Sequence, residues 1–495
     1  NLRVTAGEDN TLDSGGSTSH DLTVTGNTTL DGGSAGNETA HLNLNASTAL
    51  LGSNNTSGGV NVSNGAGLFA DAGSTVTMGF LDANYDGNNE VKLLGTNTIN
   101  SHSASTNRIL KITPGVIDAA GTSITITTAT TGKTISCFDD TFENLTLTPA
   151  SATTYNMVSS GINIGGNLTI NANATLDTTT SNYPLTVLGT ITVAGTLTCN
   201  GSTINNGSAS SSAGDLVWSG TINLGTCTFN YYNGSSSNFN LASCTLGSNT
   251  STVNIIARQA FSGRDTDLAA GSGNLHHLTF SQTNSVTGVF NLYDTTTIGG
   301  NLTLNTGTTL STSGSSAGDN KSLTVTGGIK CIGGTFTGNA STVAIGFLEI
   351  NTSGTFNAPD ASGSLTINNK DTTTDNRAID NDATFNHNSG TVTITTASST
   401  GLDLTGTGGT GINNLVINHS SCTGNFEGAV SLAGDLTITA GTFKANTPAS
   451  DTLTVAGDVS VTGTLGNANL AHDQNYSFGS LTIESGGTYN ATSGT

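Results

Sequence analysis

The chain is poor in basic residues, in proline and in aromatic side chains. Only 12 of its 495 residues are Lys or Arg, against 33 Asp or Glu, so the formal net charge is −21 at pH 7. Because no stripe of basic residues is available to neutralise phosphates, we expect neither a nucleic-acid partner nor an anionic membrane surface. An acidic chain with sparse Lys is common among secreted proteins and leaves carboxylates for divalent cations.

The sequence also has no run of about 18 apolar residues, the length that a membrane-spanning helix needs. We therefore predict no membrane span. The chain begins at Asn1 without a Met or a charged-then-apolar leader, as in a processed secretory protein or a segment of a longer one. Proline, with five residues, is too sparse to interrupt many backbone ladders, which suits a fold of paired strands.

What the chain has in quantity is Gly, with 65 residues, together with Ser, Thr and Asn. Short runs such as LTVTG at Leu323 and TVTITT at Thr391 alternate apolar and small polar residues, which is the period of a half-buried strand. Clusters of Gly, Asn, Asp and Ser separate these runs and supply turns. No segment has helical periodicity, so the sequence predicts an all-β fold.

One phrase recurs at a fixed interval. IGGNLTI around Leu168, IGGNLTL around Leu302 and LAGDLTI around Leu436 follow each other at equal spacings of about 134 residues, and a tandem repeat of constant length predicts a stacked architecture. Other landmarks place about 33 extra residues in the first unit, between Leu30 and Leu81. The predicted units are 1–166, 167–300, 301–434 and a partial unit at 435–495.

Two architectures could hold such strands. In a parallel β-helix, each coil of about 20 residues pairs with the coils above and below, whereas in the alternative each unit is a separate β-sandwich. Strand phrases within a unit are spaced by roughly 17 to 22 residues, as at Leu302, Leu323, Val343 and Leu365. This spacing favours the β-helix, and so does the insertion, because a solenoid absorbs extra residues as added coils.

The runs NLTLNTGTTL, SLTVTGGIKCIGGTF and DLTITAGTF resemble the β-strand-repeat segments of large bacterial surface proteins. That group includes filamentous-haemagglutinin-like adhesins and autotransporter passengers, which are right-handed parallel β-helices. The resemblance extends over most of the chain and lies in composition and phrasing more than in a family signature. It implies a right-handed parallel β-helix that works outside the cell in an adhesive or fibrous role.

The sharpest local motif is DANYDGNNE, from Asp82 to Glu90. It matches D-x-N-x-D-G, in which oxygens at alternate positions converge on Ca²⁺ and Gly permits a sharp turn. The twelfth position holds Leu93 in place of a bidentate Glu, so the motif is no EF-hand, and the alternative is an acidic turn between strands. The predicted calcium ligands are Asp82, Asn84, Asp86, the backbone carbonyl of Asn88, and Glu90.

A second acidic group contains Asp371, Asp375, Asp380 and Asp382, with Arg377 among them. The resemblance to β-helix proteins raises a catalytic alternative, because polysaccharide lyases and glycosidases of that fold use carboxylates and an arginine along one face. Paired carboxylates must converge at a set separation for acid–base chemistry, and no further acidic group completes a cleft. We therefore interpret the group as a solvated loop.

The histidines and cysteines offer no obvious ligand set. His276 and His277 are adjacent, so on a strand their side chains should point to opposite faces, and we interpret both as surface residues. No CxxC spacing is present, which argues against a zinc site. Cys227 and Cys244 lie roughly 17 residues apart, close to one coil, which leaves a disulfide and a stack of two buried thiols as alternatives.

Asn-x-Ser/Thr sequons are frequent, as expected by chance in a chain rich in these residues. Two of them, at Asn167 and Asn301, begin the repeated phrase, where a structural role in a turn or ladder is simpler than glycosylation. Further sequons start at Asn27, Asn45 and Asn144.

We expect a structural β-solenoid that acts outside the cell as a subunit of a self-assembling fibre, filament or coat. Each coil edge resembles the next and no cap is visible in the sequence, so we predict head-to-tail stacking, an open heterologous interface. One alternative is the monomeric stalk of an adhesin for surface carbohydrate, and the other is a polysaccharide-active enzyme, although we expect no catalysis. The candidate exposed aromatic ladder of the adhesin is Phe336, Phe356, Phe443 and Tyr489.

Overall fold

The computed structural model describes most of the chain and divides it into two compact units. The first is Asn1–Ser251 with Ala270–Gly273, and the second is Thr252–Ala269 with Asn274–Thr495. All regular structure in the described part is β-strand, so it holds no helix that could span a membrane. The described residues are 1–5, 10–14, 20–33, 40–52, 58–84, 89–113, 121–137, 141–210, 213–234, 239–313, 319–351, 353–373, 376–406, 408–409, 411–446, 451–467 and 475–490.

The strands of the first unit are short, most of them three to five residues. They are β1 Leu2–Thr5, β2 Asn10–Asp13, β3 Leu22–Val24, β4 Thr28–Asp31, β5 Ala40–Asn43, β6 Thr48–Leu51, β7 Val60–Ser63, β8 Gly67–Ala70, β9 Thr75–Met78, β10 Leu81–Ala83, β11 Glu90–Leu93, β12 Thr96–Ile99, β13 Arg108–Ile112, β14 Ser123–Ile126, β15 Lys133–Cys137, β16 Thr141–Phe142, β17 Asn144–Leu147, β18 Thr153–Met157, β19 Ile162–Ile164, β20 Leu168–Ile170, β21 Ala174–Asp177, β22 Leu185–Val187, β23 Thr190–Val193, β24 Thr196–Thr198, β25 Thr203–Asn206, β26 Asp215–Trp218, β27 Thr221–Asn223, β28 Thr228–Asn233 and β29 Thr245–Leu246.

The second unit adds several strands of eight or more residues. Its strands are β30 Thr252–Ala257, β31 Phe261–Thr266, β32 His277–Gln282, β33 Gly288–Leu292, β34 Thr296–Ile298, β35 Leu302–Asn305, β36 Thr308–Ser311, β37 Leu323–Ile332, β38 Thr335–Thr337, β39 Thr342–Asn351, β40 Thr355–Asn357, β41 Ser364–Ile367, β42 Arg377–Asn381, β43 Thr384–Asn386, β44 Thr391–Ile394, β45 Ser399–Asp403, β46 Gly408–Gly409, β47 Asn414–Glu427, β48 Ala429–Leu432, β49 Leu436–Ala445, β50 Thr452–Val461, β51 Thr464–Leu465, β52 Tyr476–Ile483 and β53 Thr488–Tyr489.

The first unit is a coil with three faces, each a parallel sheet. Face 1 runs β1-β4-β7-β10-β13-β15-β18-β21-β24-β27-β29, and face 3 runs β3-β6-β9-β12-β14-β17-β20-β23-β26. Face 2 consists of β2-β5-β8-β11 and, in later turns, of β16-β19-β22-β25-β28. Each strand thus pairs with the strand one turn away and not with its neighbour in sequence. The predicted parallel β-solenoid is confirmed.

The second unit has the same three-faced construction. Face 4 contains β30, β32, β35, β42, β45, β51 and β53, face 5 is β31-β33-β36-β38-β40-β43-β46, and face 6 contains β34, β41 and β44. Strands β37, β39, β47 and β49 bend around the corner, so that the first part of each belongs to face 6 and the last part to face 4. The last parts of β50 and β52 continue face 6. A shift of register inside each pairing marks the bend.

Turns of the solenoid differ in length because their corners differ, not their strands. On face 1, Thr28 is the Cα partner of Val60, and Val60 is the partner of Leu81. The first of these two turns is therefore about half as long again as the second, and the predicted coil length is close to that of the shorter turn. The proposed insertion between residues 30 and 81 is occupied by strands like those elsewhere.

The interval between the repeated phrases is not a whole number of turns. Five pairing steps along face 4 lead from Leu302 to Phe426. Leu436 comes later on the chain and pairs with Leu415 and Val459 on face 6. The repeated phrase therefore returns on a different face after five turns and two further strands, and the four predicted units remain a prediction.

Alternation of side chains builds the core. On face 3, Leu145, Leu168 and Ile191 stack in register and are fully buried, while the residues between them point outward. Burying one such side chain contributes about 1.5–3 kcal/mol. Most described turns of face 3 repeat this burial, so the hydrophobic core of the first unit is a column of stacked side chains.

Asn residues close many of the corners. Asn64 has a φ of +56° and its side-chain amide donates to Asp31 Oδ1 one turn away at 2.8 Å. Asn200, with a φ of +51°, makes the same bond to Asp177 Oδ1 at 2.8 Å. Asn tolerates the left-handed conformation that the turn requires, and its amide links turn to turn. This explains why the composition is rich in Asn.

Candidate functional site

The outward positions of face 4 carry a row of charged side chains in successive turns, which we call the charged ladder. Lys330 is the register partner of Glu349, and Glu349 is the partner of Asp380. The pairing of β42 with β45 sets Asp403 beside Asp380, and Asp403 is the partner of Glu427. Because paired strands lie about 4.8 Å apart, the ladder brings four carboxylates into one line.

Arg377 provides the positive charge for the last three turns of the charged ladder. Its guanidinium lies 2.5 Å from Asp380, 2.7 Å from Glu427 and 4.0 Å from Asp403. Burial alone would lower the pKa of Arg377, but its hydrogen bonds to Asp380 and the charge of Glu427 raise it well above its usual value. One cation thus offsets three carboxylates in three successive turns.

Lys330 provides the positive charge in the first two turns of the charged ladder. Its ammonium lies 2.6 Å from Glu349 and 3.3 Å from Asp371. Burial opposes the charge of Lys330, yet the hydrogen bond to Glu349 raises its pKa. Asp371 is 6% exposed and accepts from the amide and hydroxyl of Thr373 at 2.8 and 2.6 Å. Although burial would raise the pKa of Asp371, these bonds and Lys330 lower it.

The interpretation of the acidic group as a solvated loop is wrong for two of its members. Asp371 is buried and Asp380 lies on β42 within the charged ladder. Asp382 is exposed, and one carboxylate oxygen each of Asp380, Asp382 and Asp403 lies within 4.8 Å of the others. Such a set suits a hard divalent cation, although Arg377 already neutralises two of the three. Asp375 lies outside the described residues.

Two of the predicted calcium ligands are paired with basic side chains. Asp82 lies 3.5 Å from Arg108 and 3.7 Å from Lys111, and Lys111 also donates to the side chain of Asn84. The same carboxylate and amide oxygens would have to leave these cations to bind Ca²⁺. Glu90 begins β11 on face 2, whereas Asp86 and Asn88 lie outside the described residues. The calcium site remains a prediction.

A polar groove of about 260 Å³ lies beside Asp82. Its floor includes the outward side chains of Asn61 and Asp82, which are register partners on β7 and β10. Residues 103–106 form one wall, and their loop is closed by the amide of Ser103 donating to the carbonyl of Arg108 at 2.7 Å. Hydroxyl, amide and carboxylate groups dominate the lining, so the groove suits a small hydrated polar ligand better than an apolar one.

The sequons of the repeated phrase have a structural role, as predicted. Asn144 Oδ1 accepts the amide of Asn167 at 2.8 Å, and Asn167 Oδ1 accepts the amide of Thr190 at 2.8 Å in the next turn. A Cβ on Gly166 would lie 2.3 Å from the carbonyl oxygen of Glu143, so the close approach of turns requires the glycine. The phrase IGGN therefore encodes a corner in which an Asn side chain links consecutive turns.

A histidine occupies the same corner position in the second unit. The amide of Asn301 donates to His277 Nδ1 at 3.0 Å, and Asn301 Oδ1 accepts the amide of Gly328 at 2.9 Å. Burial lowers the pKa of His277, and the neighbouring His276 lowers it further. The rings of His276 and His277 are 4.3 Å apart, so the expectation that they point to opposite faces is wrong. The reason is that His276 precedes β32 and lies in the corner.

Replacing His277 by Asn should make the second unit less sensitive to mild acid. The Nδ1 atom accepts a hydrogen bond only while the ring is neutral, and the folded-state pKa lies below the ordinary value of about 6.5. Stability from this group is therefore present above about pH 6.5 and is lost as the pH falls through the folded-state pKa. We expect the wild type to lose about 1 kcal/mol that the variant retains.

The measurement is urea unfolding of both proteins at a series of pH values from neutral to mildly acidic. His20→Asn serves as the control, because His20 is an exposed residue of the first unit. Parallel pH profiles for the wild type and His277→Asn would contradict the assigned role of the imidazole.

The cysteines and three of the four candidate ladder residues belong to the core. All six cysteines are buried thiols, so the disulfide alternative for Cys227 and Cys244 is not supported. Thr245 pairs with Thr221, which sets Cys244 level with Gly220, whereas the thiol of Cys227 contacts Cys199. Tyr489 is half-buried. The other three proposed ladder residues, Phe336, Phe356 and Phe443, are 0% exposed and offer no surface to a sugar.

The sequence alone did not predict a role for Lys330, Glu349, Asp403 or Glu427. The signal was a charged residue at an outward position of successive strand phrases, in IKCI, LEIN, LDL and NFEG. Each of these residues is separated from the acidic group at 371–382 by at least two other strands along the chain, so no local cluster marks them.

No protein-family model, curated protein or solved structure matches the chain.

Proposed function

We propose that the chain is a structural β-solenoid that works outside the cell and assembles by pairing the turns of one copy with those of the next. The low content of charged residues, the sparse Lys and the acidic balance support a secreted location. The backbone ladders of both units support a role that depends on shape and surface. The proposed role requires no catalysis.

The observation that carries the assembly proposal is the last turn that the structure describes. On face 6, Leu481 is 37% exposed and Ile483 is 42% exposed, although their register partners Val459 and Val461 are 1% and 0% exposed. The side chains occupy core positions of the column, but no described strand covers them. A parallel strand with an exposed apolar face is a template for another strand, which could come from the same chain or from another copy.

The first turn offers a complementary edge. Strand β1 pairs with β4 and with no other described strand, and Leu12 of the same turn is 39% exposed. We propose that the first turn of one copy pairs in parallel with the last turn of another. The contact is heterologous, so it leaves an open edge on each new copy and continues into a filament.

Leu481→Lys combined with Ile483→Lys tests this proposal. Two ammonium groups at the apolar edge should prevent pairing, so sedimentation velocity should show multimers for the wild type and monomers for the variant. Ile332→Lys is the matched control, because Ile332 is also 38% exposed but points outward from β37. A wild type that stays monomeric at high concentration, or an equal loss of assembly in the control, would overturn the proposal.

A further inference from the structure

Face 3 of the first unit carries an unbroken outward column of threonines, which we call the threonine column. Six successive turns contribute one threonine each, and every one is the register partner of the next. All six are partly exposed, while the residues on either side of each along its strand point into the core. The column consists of Thr77, Thr98, Thr125, Thr146, Thr169 and Thr192.

The surface around the threonine column is regular in two directions. Along the column, strands repeat at about 4.8 Å, and along each strand outward positions repeat at about 6.7 Å. None of the strand pairings from β3 to β26 contains a shift of register. The residue two positions before each threonine of the column is also an outward hydroxyl or amide residue. They are Thr75, Thr96, Ser123, Asn144, Asn167 and Thr190.

This face is neutral over its whole regular part. Strands β9, β12, β14, β17, β20 and β23 contain no charged and no aromatic residue. The first charged residue on the face is Asp215 at the start of β26, where Val217 also replaces the threonine of the column. These six strands therefore add no charge to this part of the outer surface, although the chain has a net charge of −21.

The face is also rigid. Each threonine is β-branched and has a restricted χ1, and packed core residues lie beneath it. Even the one polar residue beneath the column is fixed, since the amide of Asn97 donates to the carbonyls of Leu93, Gly95 and Ser123 at 2.9, 2.9 and 3.1 Å. A surface that is already ordered loses little entropy when it binds an ordered partner.

Other outward columns of threonine are shorter or interrupted. On face 1, five threonines stack in register, Thr154, Thr175, Thr196, Thr221 and Thr245, but the adjoining column contains Asp177, whose carboxylate binds Asn200. On face 6, Ala344 and Val416 interrupt the threonines. The threonine column of face 3 is therefore the longest neutral array of hydroxyl and methyl groups in these three faces.

We propose that the threonine column and its flanking residues bind the surface of crystalline ice. Ice presents neutral hydroxyl groups that repeat in two directions over distances comparable to those of the face. The hydroxyl of each threonine can form a hydrogen bond to that lattice, and its methyl group can hold ordered water in the hollows of the ice surface. Individual contacts are weak, but many act together because the strands fix their spacing. A crystalline polysaccharide is the competing occupant, and it would call for exposed aromatic rings, which these strands lack.

The test compares ice growth in the presence of the wild type and of Thr146→Lys combined with Thr169→Lys. Lysine at these outward positions leaves the core intact, but it places two strongly hydrated ammonium groups in the centre of the face. We expect the wild type to produce thermal hysteresis and faceted ice crystals, and the variant to lose both. Circular dichroism confirms that each protein keeps its strands.

Thr175→Lys combined with Thr196→Lys is the matched control, with the same substitutions in the threonine column of face 1. It should retain the full thermal hysteresis. Three outcomes overturn the proposal: a folded wild type without thermal hysteresis or crystal faceting, an equal loss in the control, or binding of the wild type to microcrystalline cellulose with no effect on ice. None of these outcomes depends on whether copies assemble, because both variants leave the edge turns unchanged.

Discussion

Replacing Phe356 by Ala should lower the free energy of unfolding of the second unit by about 3–5 kcal/mol. Phe356 is 0% exposed and lies between two other buried rings, with its centroid 5.0 Å from that of Phe336 and 5.5 Å from that of Phe385. Truncation leaves a cavity that the neighbouring turns cannot close, because their backbones are held by the ladders of face 5. Chemical denaturation followed by circular dichroism measures the loss.

Phe69→Ala is the matched control for this prediction. Phe69 lies on the outer side of β8 in the first unit, is only half-buried and contacts the ring of His41 at 5.2 Å. Its removal opens no internal cavity, so we expect a smaller loss, on the order of 1 kcal/mol. Similar losses for the two variants would show that the phenylalanine stack does not carry the stability of face 5.

The fold could be predicted because it depends on local patterns. A phrase such as LTI specifies a strand with two inward side chains, and the Gly-Asn step before it specifies a corner, whichever face the strand occupies. Because each phrase specifies only local structure, the sequence does not reveal the length of one turn of the solenoid. Leu302 and Leu436 belong to the same phrase but to different faces, because the face is set by the summed lengths of the intervening corners. The summed length of the corners cannot be read from any single phrase, so the phrase does not show on which face its strand lies.

The charged ladder could not be predicted for the same reason. Asp371, Asp380 and Asp382 attracted attention because they are close in sequence, yet the partners of Asp380 are Glu349 and Asp403, each one full turn of the solenoid away. Such partners follow only from the register of strands, and register follows from corners whose lengths vary. In contrast, the role of the repeated Asn was predictable, because each of its bonds is made by a residue of the phrase itself to the corresponding corner of the adjacent turn.

Replacing Arg377 by Met should destabilise the second unit and make its stability depend on divalent cations. The methionine keeps the apolar stem but leaves Asp380, Asp403 and Glu427 without their common cation. We expect a loss of about 1–2 kcal/mol, less than for a fully buried pair, because the Arg377 side chain is 24% exposed. Added Ca²⁺ or Mg²⁺ should restore part of it, since the carboxylates of Asp380 and Asp403 then share a divalent cation.

Thermal unfolding with and without CaCl₂ or MgCl₂ measures both effects, and two further variants identify their cause. Lys321→Met removes a cation that forms an ion pair with one carboxylate, that of Asp319, so little change and no cation dependence are expected. Asp403→Asn in the Arg377→Met background removes one of the repelling charges, so it should recover stability and weaken the response to cations. If Arg377→Met is as stable as the wild type, or if the second substitution destabilises it further, repulsion between the carboxylates of successive turns is not what Arg377 offsets.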